Sequence, residues 1–108
     1  MVRQKVIIYF LKCPLTNKVR YIGKTSEDLN KRLRAHMSNQ PKSSTKEKSD
    51  WINELKSRGL TAIIVPIEKV YSRTEATLLE DKWILHLRTN GIRIYNSKRL
   101  SRHRPIID

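Results

Sequence analysis

Acidic residues and cysteine are scarce in this chain. Its 108 residues include 10 Asp and Glu against 23 Lys and Arg, and a single cysteine, Cys13. A lone thiol forms no internal disulfide, and no Cys/His cluster has zinc-binding spacing. An intracellular, reducing compartment is expected. No apolar run approaches the ~18 residues of a membrane span. The short apolar run after Lys5 leads to no small-residue cleavage site, so no signal peptide is expected. Internal repeats and long linkers are also missing, and one domain is expected at this length. The shortage of carboxylates argues against a two-metal centre, which clusters them.

Positive charge is what the chain has in excess. The formal net charge is +13, strong self-repulsion for so small a domain unless a polyanion relieves it. Lys and Arg neutralise phosphates and release counterions, so nucleic acid is the expected partner. A membrane surface is the rival, but the basic residues are spread along the chain and no helix is basic and amphipathic.

Val6 to Lys12 is dense in β-branched and aromatic residues without alternation, which predicts a central strand buried on both faces. Pro14 to Lys18 is a turn, with Asn17 suited to a left-handed position, and Val19 to Gly23 completes a hairpin. Thr25 or Ser26 is placed to cap a helix in which Leu29, Leu33 and Met37 form the buried stripe and Arg32 and His36 share another face. Ser38 to Lys48 is polar and predicts an exposed loop. Asp50 to Arg58 predicts a short helix with Trp51 and Leu55 inward and Gly59 as its stop. Thr61 to Tyr71 is strand-like, with Pro66 pointing to an edge or a bulge. Ser72 and Glu75 form a capping box for a helix to about Thr89, with Leu79, Trp83 and Leu87 on its buried face. Ile92 to Tyr95 predicts a last short strand. The fold class is α+β, a small sheet flanked by helices.

Several residues have the chemistry of phosphodiester hydrolysis. Glu80 can hold a divalent cation, Arg32 can brace a phosphate with its planar fork, and His36 or an ionised Tyr9 can take a proton from water. Taken singly, each has an ordinary structural explanation: core tyrosines, a solvated helix face, a turn asparagine. Glu80-Asp81-Lys82 also spells the Glu-x-Lys of nucleases with two acids and a lysine. That chemistry, however, places the pair on a strand after a Pro-Asp, and no Pro-Asp occurs here.

Taken in order, Ile7-Ile8-Tyr9, Tyr21-Ile22-Gly23, Arg32-x-x-x-His36, Glu80-x-x-Trp83-Ile84 and Tyr95-Asn96 resemble the GIY-YIG nuclease family. The resemblance spans about Val6 to Asn96, and Ile7 stands where the first string carries glycine. It implies a mainly antiparallel sheet of about three strands flanked by helices, and an endonuclease that cuts DNA, duplex or branched, with Mg²⁺ or Mn²⁺. It implies Tyr9, Tyr21, Arg32, His36, Glu80 and Asn96 as site residues and Glu80 as the metal ligand. Lys24 also recurs in some members, where it can help lower a tyrosine pKa. Lys24, Arg34, Lys42, Lys46, Lys98 and Arg99 are the expected nucleic-acid contacts. The domain is expected over 1–96, with a basic tail over 97–108 and targeting left to DNA shape, limited loop contacts or a partner protein. A non-catalytic nucleic-acid-binding module on the same scaffold is the alternative.

Overall fold

A computed structural model describes residues 5–38 and 45–97. Three strands, β1 (Val6–Lys12), β2 (Val19–Thr25) and β3 (Ile63–Val70), form one antiparallel sheet in the order β2-β1-β3. Helices α1 (Leu29–Ser38) and α2 (Lys46–Ser57) lie between β2 and β3 in the chain, and α3 (Arg73–Thr89) follows. The α+β class is the one the residues predict, and three antiparallel strands are what the resemblance implies.

The missing alternation in β1 has a direct cause, because helices cover both sides of the central strand. Val6 and Ile8 join Ile22, Val70 and the α3 residues Ala76, Ile84 and Leu87 in one core. Tyr9, Leu11 and Cys13 join Trp51, Ile52, Leu55 and Ala62 in the other. Each fully buried aliphatic side chain contributes roughly 1.5–3 kcal/mol. The hairpin turn contains Asn17 at a φ of 61°, the left-handed position expected of it. Pro66 has both of the features its ring predicts. It lies on edge strand β3, and it sits at a bulge: Ile8 pairs with Glu68 but Tyr9 with Pro66, leaving Ile67 as the extra residue.

Four local expectations are revised. The cap of α1 is Asp28, whose carboxylate accepts from the Lys31 amide at 3.1 Å; the Thr25 hydroxyl instead accepts from the Glu27 amide at 3.0 Å. On α1, Leu29, Leu33 and Met37 are partly buried and pack against the second core, while the fully buried residue is His36. Helix α2 begins at Lys46, inside the segment expected to be a loop. Thr45 caps it by accepting from the Lys48 amide. Ile92 to Tyr95 forms no strand. The Tyr95 amide donates one bond to the Arg20 carbonyl at 2.6 Å, and the side chain of Asn96 replaces the rest of a ladder. Ser72 does cap α3, accepting from the Glu75 amide at 3.2 Å, and the helix ends at Thr89 as expected.

Candidate active site

Tyr9 and Gly23 are cross-strand partners in β1 and β2. The Tyr9 ring lies flat across Gly23, so that a β-carbon at position 23 would stand 2.3 Å from the Tyr9 hydroxyl. This contact explains why the second string ends in glycine: any side chain there would displace the tyrosine of the first string. Residues alternate along β2, so Ile22 enters the α3 core and Tyr21 packs against the opposite one.

Helix α1 approaches that second face. Arg32 and His36 are one turn apart and both reach the Tyr9 hydroxyl. His36 Nε2 is 2.7 Å from it, and Arg32 Nε donates to it at 3.4 Å. Tyr9 is 0 % exposed and His36 2 %. Burial, followed by the positive charges of Lys48 and Arg32, pushes His36 down to about 3, so its imidazole is neutral at physiological pH. A neutral imidazole has one acceptor nitrogen, and Arg32 can only donate. The bonding pattern that satisfies all three groups has the Tyr9 O–H donate to His36 Nε2. Burial raises the pKa of Tyr9, while the hydrogen bond and charge of Arg32 act the other way. Burial, together with Tyr9 and Glu80, also pushes Tyr21 up. Its ring meets His36 edge-on, with centroids 5.5 Å apart.

Glu80 comes to the cluster from α3 and accepts from Lys24 Nζ of β2 at 2.8 Å. Its negative charge reaches both tyrosines. Among the described residues no group of three or more His, Cys, Asp and Glu converges as a metal cage. One carboxylate is nevertheless a sufficient protein anchor for a hard cation that keeps its waters and takes phosphate oxygens as its other ligands. Glu80 fits such an ion.

Asn96 is turned to the backbone. Its carboxamide accepts from the Ile22 amide at 2.9 Å and donates to the Ile22 carbonyl at 2.8 Å. Arg88 secures the same segment by donating to the Asn96 and Ser97 carbonyls. Asn96 thus holds β2, and with it Tyr21 and Gly23, in place.

Among the expected nucleic-acid contacts, Lys24 is the partner of Glu80, Arg34 is exposed on α1, and Lys46 is exposed and paired with Asp50. Lys42, Lys98 and Arg99 lie outside the described residues. One residue of the site was not singled out from the sequence. Lys48, placed in an expected loop, is 1 % exposed and sets its ammonium 4.9 Å from the centroid of the Tyr21 ring. The available signal was the spacing of Lys48, Trp51, Ile52 and Leu55 behind a capping threonine, a helical stripe with lysine in an apolar position.

The family model for the GIY-YIG catalytic domain matches residues 5–96. No curated protein and no solved structure matches the chain.

Proposed function

The chain belongs to the GIY-YIG family, whose domains are generally nucleases, and from that premise we propose that it is a DNA endonuclease dependent on Mg²⁺ or Mn²⁺. The observation that carries this reading is the convergence of Tyr9, His36 and Arg32 on one hydroxyl, with Glu80 on the neighbouring helix.

Cleavage requires a deprotonated water, compensation of charge on the phosphate and stabilisation of the departing oxygen. Tyr9 and His36 are each weak bases alone, one raised and the other lowered. Acting together they form a relay, in which Tyr9 takes the proton from water as its own passes to His36 Nε2. Arg32 stabilises the oxygen that briefly lacks a proton, and its fork braces the phosphate. The incoming phosphate offsets the positive charges that lower His36, which makes the imidazole a better acceptor when substrate is bound. Tyr21 helps to position the phosphate. Glu80, released from Lys24, would hold the divalent cation, whose chemistry there would be Lewis-acid stabilisation of the leaving 3′ oxygen. Asn96 acts by fixing β2. The lone thiol suits a reducing intracellular setting.

Supercoiled plasmid and branched or flapped oligonucleotides, incubated with Mg²⁺ or Mn²⁺ and with chelator, test the proposal. Metal-dependent nicking or cutting is expected, together with its loss in Glu80→Ala. A lack of metal-dependent product, or full activity in Glu80→Ala, would refute it.

A further inference from the structure

Strand β2 leads from the catalytic cluster to a second concentration of positive charge. Side chains alternate along a strand, so Arg20, Ile22 and Lys24 share one face of β2. Ile22 enters the α3 core and Lys24 reaches Glu80. Arg20 lies four residues before Lys24, about 13 Å along the strand. There a cleft of about 510 Å³ opens between Asn17 to Arg20 on one side and Gly91 to Arg93 on the other. Lys18, Arg20 and Arg93 line it, and no Asp or Glu does.

The three cations are held differently. Arg20 Nη1 donates to the Arg93 carbonyl at 2.7 Å, and its guanidinium carbon stands 5.6 Å from the centroid of the Tyr95 ring. That fixes the fork while leaving most of its N–H groups able to donate. Lys18 is exposed beside the hairpin turn. Arg93 is paired with Glu47, but the two side chains are 71 % and 48 % exposed. Ion pairs in solvent contribute little, so a phosphate can take the place of that carboxylate. A concave surface lined by one sign of charge focuses its field and gathers the opposite ion. Three cations with no carboxylate among them suit neither a metal ion nor an apolar ligand. They suit a polyanion.

We propose that this cleft is a second phosphate-contact site, which grips the DNA backbone roughly four base-pair rises from the cleavage centre, so that the duplex crosses the segment closing the outer edge of β2. Contacts to phosphate fix register and orientation without reading bases. The cleft therefore supplies affinity and alignment, while Tyr9, Arg32 and Glu80 supply the chemistry. That division of labour rests on the nuclease reading. The grip on the backbone does not, so the deciding measurement is binding without metal.

Affinity of the full chain for a DNA duplex is measured by anisotropy in chelator over a range of salt. Each phosphate contact contributes about 0.9 to the slope of log affinity against log salt. The double variant Lys18→Gln/Arg93→Gln should bind more weakly and show a slope shallower by about one to two units. Lys18→Arg/Arg93→Lys keeps both charges and should retain the parental slope. Lys56→Gln/Lys69→Gln removes the same charge from α2 and β3, outside the cleft, and should stay within about twofold of the parent in affinity. A parental slope in Lys18→Gln/Arg93→Gln, or an equal loss in Lys56→Gln/Lys69→Gln, overturns the proposal. With metal present, Lys18→Gln/Arg93→Gln should raise KM and leave kcat within about twofold of the parent. A large fall in kcat at unchanged Tm would place the cleft in the chemistry and overturn its role as a grip. A parent that binds the duplex without cutting it removes the nuclease reading and leaves the salt slopes to decide on the cleft.

Discussion

Replacing Tyr9 with phenylalanine removes one hydroxyl and keeps the ring that fills the space over Gly23. DNA affinity should persist while cleavage falls by about 10²-fold or more. Collapse of binding, measured by anisotropy, would make Tyr9 a packing residue instead. His36 yields a prediction about pH. Its ordinary pKa is 6.5, and in the fold it is pushed down to about 3. Between those values the unfolded chain holds more protons, so the stability associated with a neutral His36 is complete above 6.5 and is lost on acidification toward 3. The difference in unfolding free energy between parent and His36→Gln, followed by urea melts, should fall by roughly 1.5 kcal/mol from pH 6.5 to 5. A flat difference would mean that His36 is not held neutral. Tyr9, Arg32, His36 and Glu80 were legible in the sequence because their order and spacing are distinctive. Lys48 was not, because an ammonium predicts solvent and only the surrounding helix reveals it as buried. The part played by Asn96 was also hidden, because its carboxamide bonds the backbone of a strand 74 positions earlier.

Among the elements, β1, β2 and α3 were readable in advance, each bounded by a strong local signal: a dense apolar run, a left-handed asparagine, a capping box. Helix α2 was misplaced at its start for a physical reason. Its first turn is made of Lys46, Glu47 and Lys48, residues that resemble a solvated loop, and its cap is a single threonine. That threonine does two things. Thr45 Oγ1 accepts from the Lys48 amide at 3.1 Å and donates to the Tyr95 carbonyl at 2.6 Å. Thr45→Ala removes both bonds and should lower stability by about 1–2 kcal/mol. Thr45→Ser should restore it. The segment before Asn96 was read as a strand from its isoleucines, yet a single backbone bond ties it to β2 and the side chains of Arg20, Thr45 and Asn96 supply the other bonds, so it never forms a ladder.

At the scale of the whole molecule, charge would govern the encounter with a nucleic acid. DNA carries condensed counterions, and a chain of net charge +13 would release them on binding. Affinity for duplex in chelator should therefore fall by about two to three orders of magnitude between 50 and 200 mM salt. A salt-independent affinity would show that the excess of lysine and arginine is not used on phosphates. The chain also closes on itself over a long sequence separation, since Asn96 clasps Ile22 and Arg88 anchors the clasp. During synthesis the ribosome releases the hairpin and α1 well before that clasp exists. Tyr9, Arg32 and His36 are then present on a strand pair whose outer edge is still open. The outer edge of β2 is thus closed only once residues 88–96 have emerged.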